Sequence, residues 1–205
     1  MNDTAIDFLK SRVSIRDFDP DAVVTAAEIE QILTIAGSAP SGNNSQPWKV
    51  AVVQNKDMQA EIYTRAYQQL QVKNAAGVFL VFGDRSAYEI DHLVAEKLKN
   101  GTLAPAGEGM FRKKIDFFYA SSPAENSVEA IMLDCGLFAM NLLYAIKAFG
   151  YDAVPMRGAD FDAIKKYLEL SESWQPVLMI PFGKARTAGN EKIRKKPAEF
   201  SLLFK

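Results

Sequence analysis

The run from residue 122 to residue 150 sets the scale of the fold. Ser122-Pro123-Ala124-Glu125 has the form of a capping box with proline at the first helical position, and Gly150 follows the last apolar turn. A helix from there to Phe149 would be roughly 40 Å long at about 1.5 Å per residue. Its second half is apolar on most faces, which marks the central helix of the fold. The apolar stretch 131–149 is interrupted by Asp134, Asn141 and Lys147, so it reads as a buried helix rather than a membrane span. At 205 residues the chain can build one substantial core around such a helix, in one domain spanning 1–205.

Shorter elements surround it. Residues 4–10 carry Ile6 and Leu9 and suggest a first helix. Thr25 and Glu28 form a capping box that opens a helix with Ile29, Ile32, Leu33 and Ala36 on its core face and Gly37 as its stop. Residues 48–53 read as a strand, residues 57–71 as a weaker helix. The run 77–83 is continuously apolar between two glycines, as expected of a central strand. An exposed helix is expected over 87–99 and a Gly/Pro-rich loop over 101–109. Residues 111–120 then concentrate Phe111, Phe117, Phe118 and Tyr119, either as core or as the lining of a pocket. A V-P-M-R-G turn precedes a short helix at 160–168. The strand 175–183 contains Pro181, which implies an edge or a bulge. The tail is basic in K-I-R-K-K-P and then apolar in A-E-F-S-L-L-F, an end that needs a covering surface in its own chain or in another copy.

Composition closes several routes. A formal net charge of −1 gives no reason to expect nucleic acid or an anionic membrane as partner, and the basic cluster at 192–196 is short. Cys135 is the only cysteine and His92 the only histidine, which leaves neither a metal site nor a Cys–His nucleophile. Ser41 and Ser45 have no histidine base in a nucleophile-elbow context. The glycines of A-P-A-G-E-G do not stand between a strand and a helix, so a Rossmann-type site is not supported. The N-terminal stretch has no basic segment followed by an apolar one, so a cytoplasmic protein of a reducing compartment is expected.

Two patterns carry chemistry. The stretch 39–50, A-P-S-G-N-N-S-Q-P-W-K-V, lies between a helix and a strand and cannot continue either. Asn, Ser and Gly bond their own backbone or take positive φ, so they form a shaped turn whose amides both donate and accept. It suits a heteroaromatic edge of mixed polarity, and reads equally as a polar connecting loop. In R-V-S-I-R, Arg12, Ser14 and Arg16 alternate, so in an extended segment they converge on one side. Lys192 and Arg194 repeat the alternation near the other end. Guanidinium forks match a phosphate monoester, although any lone basic pair is more simply solvated surface charge.

Together R-V-S-I-R-D-F, A-P-S-G-N-N-S-Q-P-W-K-V, the long helix with V-P-M-R-G-A-D-F-D after it, and the K-I-R tail resemble the flavin-dependent nitroreductase family, FMN-containing NAD(P)H oxidoreductases. The resemblance covers nearly the whole chain. It implies an α+β fold, a nitroreductase-like three-layer sandwich with a mixed, mainly antiparallel sheet flanked by helices, in an intertwined homodimer with shared flavin sites. It implies FMN as cofactor, NADH or NADPH as electron donor, and ping-pong hydride transfer to a nitroaromatic, quinone or related small-molecule acceptor. No catalytic acid or base is then required of the protein, because the flavin carries the chemistry. Carried over by residue, Arg12 and Ser14 would hold the FMN phosphate with Lys192 and Arg194, and Arg16 would face the pyrimidine edge. Pro40, Ser41, Gly42 and Asn44 would reach the flavin from the second subunit. Gln71, with Gln68 as its neighbour, would contact the ring, and Pro155, Arg157 and Gly158 match the turn whose backbone approaches N5 and O4. Some family members have an acidic residue where this chain has Arg157, a departure that bears on substrate preference. Two alternatives stay open: a flavin-dependent reductase or dehydrogenase of a specific metabolite, and an FMN-binding store or sensor without turnover.

Overall fold

A strand buried along its whole length divides the molecule into two cores. The computed structural model describes residues 3–204; the first two residues of the N-terminal stretch and Lys205 lie outside them. Strands β1 (Trp48–Val53), β2 (Gly77–Gly83), β3 (Asp152–Ala153) and β4 (Gln175–Gly183) form one sheet in the order β1-β2-β4-β3, every neighbouring pair antiparallel. All seven residues of β2 are buried. Successive strand side chains point to opposite faces, so Phe79 and Val81 enter one core, while Val78, Leu80 and Phe82 enter the other. Coverage of both faces is why the run is continuously apolar.

The first core is closed by α2 (Ala26–Ala36), α5 (Ile90–Lys99), α6 (Glu108–Ser121) and α7 (Val128–Ala148). The second is closed by α3 (Lys56–Arg65), α4 (Leu70–Asn74), α8 (Phe161–Tyr167) and the segment holding Ile15 and Phe18. The result is the expected α+β three-layer arrangement, with parallel pairing confined among the described residues to an isolated bridge between Ser14 and Ala153. Helix α1 (Asp3–Ser11) buries no side chain and leans on α7, where Tyr144 donates its hydroxyl to the Leu9 carbonyl at 3.2 Å. By length and composition α7 could cross a membrane, but Ile131, Cys135, Phe138, Leu142 and Ile146 pack it into the first core.

The Thr25–Glu28 box forms in both directions and starts α2, with Ile29, Ile32 and Ala36 buried. Four expectations are corrected. The central helix starts at Val128, because Pro123–Asn126 winds into a 3₁₀ turn, Ser122 caps nothing, and Ser127 supplies the N-cap. The helix expected over 57–71 is two helices, since Tyr67 and Gln68 adopt left-handed φ of 54° and 55°. The loop expected over 101–109 gives way to a 3₁₀ turn at Pro105–Gly107 and to α6 from Glu108, which buries Ile115 and Tyr119 of the aromatic patch while Phe117 projects outward. Pro181 lies in a strand flanked on both sides, and the β2–β4 bulge falls beside Pro176. Its carbonyl accepts from Val154 N at 3.2 Å, so its missing N–H faces the short, weakly paired β3 side, where one ladder bond is forgone.

Candidate functional site

Ile15 and Phe18, both essentially fully buried, pin the segment after α1 to the second core. Ile15 N donates to the Ala153 carbonyl at 3.2 Å, and Asp19 N donates to the Lys184 carbonyl at 2.9 Å, so the segment runs extended beside β3. With Ile15 turned inward, Arg12, Ser14 and Arg16 face the other way. They line one pocket of about 180 Å³ with Asn190, Glu191, Lys192 and Arg194. Four cations against one carboxylate give it an excess of positive charge that suits an anion. Within it, Arg12 Nη1 is buried with no hydrogen-bond partner among the described residues. A buried donor on a charged group without an acceptor is costly, and a phosphate oxygen would supply one.

Three contacts bring the tail to this place. Arg186 pairs with Asp17 through both a side-chain fork and its backbone N–H, which donates to the Asp17 carbonyl at 3.0 Å. A Cβ on Gly189 would stand 2.9 Å from Val13 Cγ2 and 3.0 Å from the Ser14 carbonyl, so only glycine lets the tail lie this close to the extended segment. Lys192 Nζ then donates to the Lys10 carbonyl.

The turn bearing Pro155, Arg157 and Gly158 leaves the same edge of the sheet. Met156 is buried and exchanges two 2.8 Å backbone bonds with Met179, leaving its three neighbours exposed. Because the Ser14–Ala153 bridge is parallel, Arg16 follows Ser14 in the direction in which Pro155 follows Ala153. Gly158 O accepts from Gln69 Nε2 at 2.7 Å, and Gln71 Nε2 in turn donates to Gln69 Oε1 at 3.2 Å. Gln71 thus joins this turn only through Gln69, which the sequence reading missed; Gln68 points outward. No sequence signal marks it: the left-handed bend at Tyr67 and Gln68 that aims Gln69 back at residue 158 carries neither glycine nor proline.

The Asn-rich stretch is a shaped turn, as expected. Asn43, Asn44 and Gln46 all hold positive φ, at 53°, 59° and 48°. Gln46 N donates to Ser41 Oγ at 2.9 Å and Asn44 N to the Ser41 carbonyl at 3.0 Å. Beneath it lies Asp134 of α7, whose carboxylate accepts from Gly42 N at 3.0 Å, Tyr88 OH at 2.9 Å and Ser45 Oγ at 3.4 Å. Burial, then the hydrogen bond to this carboxylate, pushes the Tyr88 phenol well above its ordinary range. Within one chain the turn does not line the cationic pocket; Asn43, Asn44, Ser45 and Gln46 face His92, Glu96 and Lys97 of α5 across a separate hollow. The structure therefore brings Arg12, Ser14, Arg16, Lys192 and Arg194 together and sets Gln71, Pro155, Arg157 and Gly158 along the same edge. It leaves Pro40, Ser41, Gly42 and Asn44 elsewhere. Cys135 is fully buried with its thiol pushed up to about 12 by burial, so it is packing rather than nucleophile.

A family model described as the nitroreductase family matches residues 9–184. YodC of Bacillus subtilis, which carries an NAD(P)H nitroreductase name, is 30% identical over 181 residues, covering 88% of this chain and 89% of its own. A solved nitroreductase-like protein from Streptococcus mutans is 43% identical and superposes with a TM-score of 0.97 over 100% of both chains. A structure from Exiguobacterium sibiricum with a nitroreductase name, solved in complex with FMN, is 29% identical with a TM-score of 0.86, covering 97% of this chain and 96% of its own.

Proposed function

This chain belongs to the nitroreductase family, and on that footing we propose that it is an FMN-dependent oxidoreductase that uses NADH or NADPH to reduce nitroaromatics, quinones or related acceptors in a ping-pong cycle. The observation that carries the cofactor assignment is the buried, partnerless Arg12 Nη1 in a pocket lined by three further cations. Arg12, Ser14, Lys192 and Arg194 hold the phosphate. Arg16, exposed at the end of the same segment, offers positive charge to the pyrimidine edge, where reduction builds negative charge. The 155–158 turn, braced by Gln69 and Gln71, presents backbone groups to the redox edge of the ring. FMN, when bound, supplies the two-electron sink that no side chain offers.

Pro40, Ser41, Gly42 and Asn44 complete the site from a second copy, in a homodimer of one-domain subunits. Support comes from the uncovered apolar face of α7, where Met132, Leu133, Leu137 and Met140 are exposed, and from the exposed tail residues Phe200, Leu202, Leu203 and Phe204. Anaerobic addition of NADH, then NADPH, to the FMN-loaded protein tests the assignment. Loss of the visible flavin bands with turnover on quinone is the expected result. Bands that persist with both donors would identify a store, and a protein that takes up no FMN would end the reading.

A second reading, reduction of a specific anionic metabolite, is favoured by Arg157, whose exposed side chain forms no ion pair among the described residues. Under it, Arg157→Glu lowers kcat/KM for carboxylate-bearing acceptors about tenfold while sparing neutral quinones; equal losses on both would count against it.

A further inference from the structure

We propose that Asp134 is a positioning residue of the cofactor site, holding the 41–46 turn in the shape that meets the flavin ring. The inference rests on the reading that this turn contacts FMN. Asp134 is 5% exposed, in the middle of a helix that is otherwise apolar at its buried positions. No cation pairs with it among the described residues; one oxygen, Oδ2, receives a backbone N–H and two hydroxyls. A buried carboxylate satisfied only by neutral donors is an expensive way to fill a core position. What it secures is the turn: Gly42 and Ser45 are pinned at the two ends of a 3₁₀ turn whose interior residues Asn43 and Asn44, with Gln46 just beyond, are all left-handed. Non-glycine residues stay in that region only where the surroundings over-determine them. Asp134 also adjoins Leu133, which is 65% exposed on the face of α7 assigned to the partner copy. The oxygen that shapes the turn is therefore fixed to the element that would set the distance to the other subunit.

The role predicts a loss in ring recognition, not phosphate recognition, which riboflavin and FMN separate. Asp134→Leu removes the acceptor and frees the turn, weakening FMN and riboflavin by the same factor, about tenfold, the worth of one to two lost hydrogen bonds. Arg12→Ala, in contrast, weakens FMN and spares riboflavin. Asp134→Asn keeps an oxygen where Oδ2 stands and restores both affinities to within about threefold of wild type. The bound-flavin absorption fine structure shifts in Asp134→Leu and returns in Asp134→Asn. Should the leucine variant fail to fold, Ser45→Ala combined with Tyr88→Phe removes two of the three donors and shows the same parity between the two flavins. Wild-type affinity for both flavins in Asp134→Leu, selective loss of FMN, or no rescue by asparagine would overturn the proposal. Failure of the wild type to bind either flavin would instead overturn the cofactor reading.

Discussion

Arg186 grips Asp17 with two arms of its guanidinium, Nε at 3.1 Å and Nη2 at 2.6 Å, across 169 positions of sequence. The pair ties the start of the C-terminal segment to the extended segment that carries Ser14 and Arg16, and its hydrogen bond holds the Asp17 carboxyl below its ordinary 3.8. A carboxyl depressed in the folded state stabilises the fold above its unfolded value and loses that contribution as the pH falls through its folded one. Wild type should therefore shed both stability and FMN affinity as the pH drops below 3.8, and Asp17→Asn should flatten that slope. Denaturant midpoints and flavin fluorescence titrations between neutral and acid pH are the check.

Arg12 and Cys135 separate binding from packing. Losing a charge-assisted bond to phosphate removes about 1.5–3 kcal/mol, so Arg12→Ala should weaken FMN binding roughly tenfold to a hundredfold. Cys135→Ser places a hydroxyl in the same buried space, where the thiol is 3.7 Å from the Phe82 carbonyl, and should leave flavin retention unchanged. Equal retention in both purified variants would refute the phosphate pocket.

Tyr88 supplies an alkaline counterpart. Its phenol is raised by burial and by Asp134 above its ordinary 10.0, so the folded state holds this proton more tightly than the unfolded one. The contribution is complete below 10.0 and declines as the pH climbs beyond it. Tyr88→Phe should cost about 1 kcal/mol at neutral pH for the lost hydrogen bond and then show a shallower decline in alkali, read from urea midpoints.

Removal of residues 200–205 should loosen the proposed dimer, and Leu133→Glu on α7 should do so more strongly, because it would place a charge in the proposed helix contact. Sedimentation velocity across a dilution series should show a dissociation constant raised about tenfold or more. A profile matching wild type for both would place the interface elsewhere.

Much of this architecture is legible in the sequence. Bounds 77–83 and 175–183 were readable from apolar runs closed by glycine, and Thr25–Glu28 from a capping box that does form. Ser122–Glu125 carries the same signature without forming it; a competing cap five residues on, Ser127, won, because Pro123 and its neighbours close a 3₁₀ turn first. The break at Tyr67 and Gln68 was invisible, since neither glycine nor proline announces left-handed backbone there. The alternation in R-V-S-I-R located half of the candidate pocket because an extended segment keeps period two. Asp134 was legible only as an interruption of an apolar helix. Its partner Gly42 lies 92 positions away, a distance over which local pattern carries no information.

The cationic pocket takes Arg12, Ser14 and Arg16 from one end of the chain and Lys192 and Arg194 from the other. A nascent polypeptide elongated to Gly183 already contains every strand and α-helix of the described residues, yet has only half of the anion cradle. On the proposed assignment the complete cradle can assemble only after the sheet and both cores can form. With Lys192 and Arg194 as phosphate ligands, a chain halted shortly before Lys192 would keep both cores but only Arg12, Ser14 and Arg16 of the cradle, so flavin retention would fall before folding does.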